Sequence, residues 1–485
     1  MIAATGINQL KVTIAASEIT PFAKTGGLAD AVAALSASLA ANGCQVNLVM
    51  PAYRGIIKTS INDAQYVADI EFKTTGQVLP AAIHRSSIGP SQDIYFIRCD
   101  EFFDRAGLYG ESGIDYPDND RRFALFSRAV LEVAGLTGSR IIHVNDWHAA
   151  PAAAILKLQP ERYPGLSAAR TLLTIHNLAY QGHFARDLWP SLGLDPAAFY
   201  PAFEFYGGIN FLKSGLELAD RLTTVSPTYT REVTYEGCGF GLEGVLRARA
   251  ASFSGIVNGV DYNLWNPEND RYLVQRYSAA DLSGKAACKK AIQHYYGLEE
   301  DPAAPVAAVV SRLADGKGMD LIREILNNLI GSGAQFILLG NGSRDLEDFF
   351  RPLPSMYPGR AGAVIGFDDG LAHRTIAGAD MLLMPSKREP CGLTQLYALK
   401  YGTIPIVRRT GGLADTVKPA GGDRGDGFLF DEYSGAALWE AVNRARTWFE
   451  DRLAWQSLMR RGMLADHSWS RSMHEYLRIY RALLS

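Results

Sequence analysis

From Val12 onward, short runs rich in Val, Ile and Leu alternate with segments whose apolar residues recur at helical spacing, and each run stops at a small or polar loop. The first run, VTIAAS, ends at Ser17. Beyond its loop, Leu28, Val32, Leu35 and Leu39 fall on one helical face until Gly43 closes the segment. QVNLVMP, DIYFIR, RIIHVN, RTLLTIHN, RLTTVSP and GIVNG then repeat the pattern of an apolar strand with a polar tip. Continuous apolar strands separated by helices predict a parallel sheet covered on both faces.

The pattern lapses in NPENDRYLVQRYSAADLSGK and then starts afresh. APVAAVVSRLADGKG gives strand and loop, MDLIREILNNLI a helix ending before Gly331, and AQFILLGNGS a second strand and loop. GAVIGF, DMLLMPSKREPCG, the helix LTQLYALKYG and the strand TIPIVRR follow. The fold class predicted is α/β, with two doubly wound Rossmann-like domains facing an interdomain cleft. The expected domains are 1–259 and 260–469. A terminal helix, 470–485, carries Met473, Tyr476, Leu477, Tyr480 and Leu484 on one side and is expected to pack back on the first domain.

At 485 residues the chain is too long for one ordinary core, which supports two domains. Its 47% hydrophobic and 20% charged residues match a globular enzyme rather than a disordered chain. A net charge of -3 gives no bulk field for nucleic acid or an anionic membrane, so any basic site is local and suited to a small anion. Five scattered cysteines without a C-x-x-C pair offer no zinc or redox motif and fit a reducing compartment. MIAATGINQLK lacks a charged region followed by a long apolar run, so a cytoplasmic protein without signal or transit peptide is expected.

The hexapeptide TGGLAD occurs twice, at Thr25–Asp30 after Lys24 and at Thr410–Asp415 after Arg409. Ligands of open α/β sheets bind outside the carboxyl ends of the strands, where both copies are expected. Gly-Gly at such a turn lets a ligand approach the backbone, and the free amides of a helix start favour an anion. The plainer alternative is that the glycines only make a tight turn. Lys24, Gly26 and Gly27, with Thr410, Gly411 and Gly412, are therefore candidate donor contacts.

In PSKREPCGLTQL, Glu389 stands at a strand end, and Gly392 to Gln395 are expected to form the first turn of a helix. The carboxylate suits a sugar hydroxyl or a cationic sugar, and the chain amides of Cys391, Gly392, Leu393 and Thr394 suit a diphosphate. The alternative is that Glu389 caps its own helix. SRLADGKG places Arg312 and Lys317 around a turn, where two cations can neutralise a departing diphosphate; solvated surface charge is the alternative. HVNDWHA and TIHNLAYQG bring Asp146 and His176 to strand ends, with Trp147, His148 and Tyr180 as an aromatic face for a sugar. The DND at Asp118–Asp120 precedes a helical run and reads as a helix N-cap, so no metal is inferred.

These segments, in this order, resemble the bacterial glycogen synthase and plant starch synthase family, retaining glycosyltransferases of the two-domain GT-B fold. The resemblance rests on SEITPFAKTGGLAD, DWHA, TIHNLAYQG, FLKSGLELADRLTTVSPTY, GLEGVL, IVNGVDYNLWNP, EPCGLTQLYALKYGTIPIV and TGGLADTV, from residue 17 to about residue 417. It implies transfer of glucose from ADP-glucose to the non-reducing 4-hydroxyl of an α-1,4-glucan (glycogen or a malto-oligosaccharide), with release of ADP and no cofactor. By the same resemblance, Lys24, Gly26 and Gly27 contact the donor phosphates, and Asp146 and His176 line the glucose and acceptor side. Asn258 holds substrate, Arg312 and Lys317 balance the ADP charge, Glu389 contacts the glucose, and Thr410 to Gly412 close the nucleotide side.

Four positions depart from the family pattern. Asn145 stands for His, Gly316 for Gln, and Lys387 and Arg388 for Arg and Phe beside Glu389. With no clear second carboxylate, same-face attack with the departing phosphate as base is the expected route to retention. Other readings are a transferase for another nucleotide sugar or a short acceptor, a pyridoxal-phosphate phosphorylase on a related fold, and a weakly active glucan-binding protein.

Overall fold

The computed structural model describes residues 10–74, 77–111 and 113–485. The chain divides into two compact units, Met1–Gly259 with Trp469–Ser485, and Val260–Ser468. Trp469, expected in the second domain, is the first residue of the closing helix Trp469–Leu484 and belongs to the first unit.

The first unit is built on a nine-stranded sheet. Its order is Phe253–Gly255, Arg221–Thr224, Arg170–Ile175, Ile141–Asn145, Lys11–Ala15, Gln45–Pro51, Gln92–Arg98, Gln77–Gly89 and Gln65–Thr74. The strands from Phe253–Gly255 to Gln92–Arg98 pair in parallel, whereas the last two form an antiparallel extension. Ile141–Asn145 is buried at every position, which is why the parallel strands read as unbroken apolar runs. Val12 lies opposite Val46 on one side and Ile141 on the other. The chain leaves Lys11–Ala15 toward one side and later fills the other, so the loops after Ala15 and after Asn145 diverge at a switch point. The closing helix buries Met473, Tyr476, Leu477 and Tyr480, and the Tyr480 hydroxyl bonds His143 Nδ1 at 2.8 Å.

In the second unit six parallel strands take the order Ala361–Ile365, Gln335–Gly340, Val306–Val310, Met381–Met384, Ile404–Arg408 and Phe428–Phe430. The switch point lies between Val306–Val310 and Met381–Met384. It sends the loops 311–318 and 385–393 out from neighbouring strand ends, with the loop after Arg408 next in line. Among the described residues no helix is long and apolar enough to cross a membrane.

Candidate functional site

In the first unit the loop after Ala15 is organised by Glu18, which is 4% exposed. Its carboxylate accepts from the Thr25 amide, from Thr25 Oγ1 at 2.7 Å and from the Tyr109 hydroxyl at 2.5 Å, and Tyr109 also meets Ser17 Oγ at 2.7 Å. These bonds pin Thr25 ahead of the helix Gly27–Ala41, whose N-cap residue Gly26 brings no side-chain cap. Gly26 has φ -159°, which any residue adopts, and a Cβ there would meet nothing within 4 Å. Neither backbone conformation nor packing inside the chain demands glycine at this position. Lys24 Nζ lies 3.0 Å from Asp30 Oδ2, and Thr20 Oγ1 donates to the other oxygen of that carboxylate. A partly exposed pair of this kind contributes little and is easily exchanged for an anion.

Asp146 follows the strand Ile141–Asn145 directly, with φ 54°, and its Oδ1 accepts from the His176 amide at 2.7 Å. Burial pushes its carboxyl up to about 7, against the opposing pull of the backbone amides of His176 and Asn177. Burial lowers the His176 imidazole to about 4, so the ring is neutral at physiological pH. Its Nε2 lies 2.9 Å from Asn145 Oδ1, while Asn145 Nδ2 donates to the Ala15 carbonyl at 3.1 Å. A carbonyl can only accept, so the amide orientation is fixed and Nε2 of the neutral ring must carry the proton. Nδ1 is left as an acceptor. Asn145, one of the departures, thus selects the tautomer of His176.

The aromatic face expected around Asp146 is not offered as such. Trp147 and His148 stack on each other at 3.9 Å and are both buried, with Gly182 pressed against the indole. Tyr180 alone of the three is exposed. Asn258 is buried, and its side-chain carbonyl oxygen has no hydrogen-bond partner among the described residues. An ordered water or a ligand can serve such an acceptor.

In the second unit Lys317 Nζ lies 2.6 Å from Glu389 Oε2, and Ser386 Oγ donates to the same oxygen at 3.0 Å. Glu389 is 6% exposed. The two loops are brought together by backbone contacts. Gly318, at φ 74°, sits where a Cβ would overlap the Pro385 carbonyl, and the Lys387 amide donates to the Gly316 carbonyl at 2.8 Å. Two of the departures, Gly316 and Lys387, therefore meet each other. The second TGGLAD closes against the same segment, because the Gly412 amide donates to the Glu389 and Pro390 carbonyls at 3.1 Å. A Cβ on Gly411 would overlap the Glu389 carbonyl and one on Gly412 the Cys391 carbonyl.

Two expectations need adjusting here. The helix expected to open at Gly392 begins at Thr394, with Leu393 as its N-cap residue, because Gly392 takes φ 70° and cannot be helical. Arg312 keeps its place on the Lys317 loop, exposed and outside the Lys317–Glu389 pair, which leaves its expected part unaltered. At Asp118, the N-cap residue of Asn119–Thr137, the side chain caps nothing; it holds Arg105 at 2.6 Å. Among the described residues no group of three His, Cys, Asp or Glu side chains could hold a metal ion.

Glu18, Tyr109, Ser386 and the tautomer-setting amide of Asn145 escape the sequence reading. Glu18 and Ser386 lie inside quoted motifs, so their positions carried a signal. Tyr109 is 91 residues from Glu18 and carried none.

Two Rossmann-like units, each presenting glycine-bearing and charged loops at the carboxyl ends of parallel strands, define a glycosyltransferase of the GT-B class. Residues 11–248 match the starch synthase catalytic domain, and residues 297–456 match the group 1 glycosyl transferases. The chain belongs to the glycogen and starch synthase family. A glycogen synthase of Anaeromyxobacter sp. (strain Fw109-5) is 46% identical over 482 residues, covering 98% of this chain and 99% of that one. A glycogen synthase of Syntrophotalea carbinolica is 42% identical, with 97% and 98% covered. The catalytic domain of starch synthase IV from Arabidopsis thaliana, solved bound to ADP and acarbose, superimposes with a TM-score of 0.88 at 31% identity, covering 98% of this chain and 99% of that chain.

Proposed function

We propose that the chain transfers glucose from ADP-glucose to the non-reducing 4-hydroxyl of an α-1,4-glucan, with retention at the anomeric carbon and release of ADP. The observation that carries this reading is the Lys317–Glu389 pair, its carboxylate buried and its lysine half-buried, clamped by the second TGGLAD loop. Breaking the bond from anomeric carbon to phosphate creates a cationic sugar beside an ADP anion, so opposite charges must be stabilised side by side. Lys317 and Glu389 are such a pair, holding each other in the absence of substrate. A donor diphosphate draws Lys317 to itself and leaves the Glu389 carboxylate to the glucose. Arg312, exposed on the same loop, adds a second cation for the leaving group.

In the first unit Lys24 and the backbone at Gly26 and Gly27 are suited to donor phosphate, and in the second Cys391 to Thr394 and Thr410 to Gly412 frame the nucleotide. Asn258 offers its orphaned carbonyl to substrate. Asp146 and His176 take the sugar side, where His176 Nδ1 accepts from a hydroxyl. Cations and amides supply the charge that a metal ion would otherwise bring, so the reaction runs without metal or cofactor. The adenine donor is favoured by the ADP in the Arabidopsis relative. A cytoplasmic location without nucleic-acid or membrane partners completes the reading.

The test is incorporation of labelled glucose from ADP-glucose, with UDP-glucose in parallel, into glycogen by purified protein treated with chelator. Incorporation from ADP-glucose alone is the expected result. Release of ADP without incorporation would transfer the reading to another acceptor, and no release would leave a glucan-binding protein.

Asp146 gives a pH signature. A carboxyl raised from 3.8 to about 7 in the folded state contributes stability that is full below its unfolded value and is lost as pH rises through about 7. Asp146→Asn keeps an oxygen for the His176 amide and has no proton to lose. From pH 5 to pH 8 the wild type is expected to lose roughly 2–4 kcal/mol more unfolding free energy than the variant, seen as a steeper fall in its melting temperature. Parallel slopes in a thermal melt series would refute the assignment.

A further inference from the structure

Three loops of the first unit place aromatic rings at the surface: Tyr180 is 54% exposed, Tyr206 86% and Phe240 37%. A buried amide ties these loops together. Gln181 donates to the Phe240 carbonyl at 3.3 Å and accepts from Asn210 Nδ2 at 2.7 Å, and His183 meets the same oxygen at 2.8 Å. Tyr180 lies four residues past His176 in sequence, with its amide bonded to the Asn177 carbonyl at 3.2 Å. The frame is therefore continuous with the Asp146–His176 site.

The way two of these rings are held is costly. Tyr206 and Gly207 form the two-residue turn between Glu204–Phe205 and Gly208–Asn210, and their φ values are 49° and 84°. Positive φ at both central positions is a type I′ turn, where Asn-Gly is strongly preferred and a bulky aromatic is an outlier. Phe240 likewise takes φ 54°. Gly241, at φ 86°, lets the chain pass under the rings, since a Cβ there would come within 2.8 Å of Phe205 Cζ and 3.2 Å of Tyr206 Cε2. Folding gains nothing from an exposed tyrosine at a position that asparagine would fill with less strain. Retained strain of this kind points to a ligand.

We propose that Tyr180, Tyr206 and Phe240 form a stacking platform for glucose rings of an α-glucan, extending acceptor contacts beyond the transfer site. The proposal rests on the glucan-acceptor reading above. Sugar rings present apolar C–H faces to aromatic π faces, and tyrosine adds a hydroxyl at the rim, which suits a wet, polar chain better than an aliphatic patch would. The platform is tied through the Gln181 frame to the His176 loop, where the end of the acceptor is received. Several rings along the chain would engage it at once, so its effect should grow with acceptor length.

The test is Tyr206→Asn, alone and with Phe240→Asn, compared with wild type. Asparagine favours the left-handed turn, so the ring is lost without loss of the fold, and the melting temperature should stay level or rise. KM for glycogen and maltoheptaose should rise about threefold to tenfold for the single variant, with a smaller rise for maltotriose. Retardation of the variant in native gels containing glycogen should weaken in step. Wild-type KM at every acceptor length would overturn the platform while leaving the transferase intact, as would an equal rise at all lengths. A changed sedimentation coefficient with unchanged glucan affinity would make the patch a contact between copies and also overturn it. A wild-type protein that neither binds nor extends glucan would remove the acceptor reading itself.

Discussion

Lys317→Met is expected to lower kcat/KM for ADP-glucose by about a hundredfold to a thousandfold, the usual loss when one preorganised group facing developing charge is removed. The same change should also destabilise the protein. Glu389 is 6% exposed, and without Lys317 its charge keeps, among the described residues, the Ser386 hydroxyl alone. Removing one partner of a buried pair typically costs about 3–5 kcal/mol. The cost should fall toward the lower end here, because the Lys317 side chain is a quarter exposed and water can reach the vacated place. Adding Glu389→Gln to Lys317→Met removes the stranded charge, so the double variant should regain most of the stability and none of the activity. Chemical denaturation of the two single variants and the double gives the coupling energy, and steady-state kinetics gives the rest. Recovery of activity together with stability would mean that the pair supports the fold and does not act on substrate.

That pair shows how far the sequence could be read. The parallel strands are legible because both faces are buried, as at Ile141–Asn145, leaving unbroken apolar runs. The hairpin Gln65–Thr74 and Gln77–Gly89 escapes the reading, since it extends the sheet edge with exposed positions and a proline at Pro80. In the site, residue types are legible and partnerships are not. Lys317 and Glu389 are 72 residues apart and read in the sequence as separate features, whereas the fold joins them. Lys24 pairs with Asp30 inside its own motif, but Arg409, its counterpart, reaches Asp431. Trp147 and His148 read as a sugar-facing surface because a strand end is a place for ligands. Their burial follows from aromatic packing at the start of helix Asp146–Leu158, where Trp147 meets Phe123, Phe184 and Phe211 and His148 meets Tyr109 and Phe123. Periodicity reports which residues are buried in regular elements. It does not report which loops, far apart in the chain, come to share a strand end.

The two TGGLAD copies should respond to the same substitution in opposite ways. Gly411→Ala places a methyl onto the Glu389 carbonyl at a residue whose φ is 44°, so backbone strain and overlap add. Each is worth roughly 1–3 kcal/mol, and a loss of about 3 kcal/mol or more is expected, with activity falling as the Glu389 loop is displaced. Gly26→Ala meets no such obstacle, since its φ of -159° is ordinary and its Cβ would stand in open space. Alanine restricts the unfolded chain but is a poorer N-cap than glycine, so stability should stay within about 1 kcal/mol of wild type. If Gly26 is glycine to admit a diphosphate against the helix start, KM for ADP-glucose should nevertheless rise about tenfold or more, because a methyl group occupies the approach. Thermal melts and donor titrations on the two variants separate the cases. A Gly26→Ala protein that melts and turns over like wild type would leave the first copy as a turn alone. One that unfolds like Gly411→Ala would return both copies to the fold. The expected result gives one hexapeptide two physical duties: in the second unit it lets the chain touch itself, and in the first it leaves room for something that is not the chain.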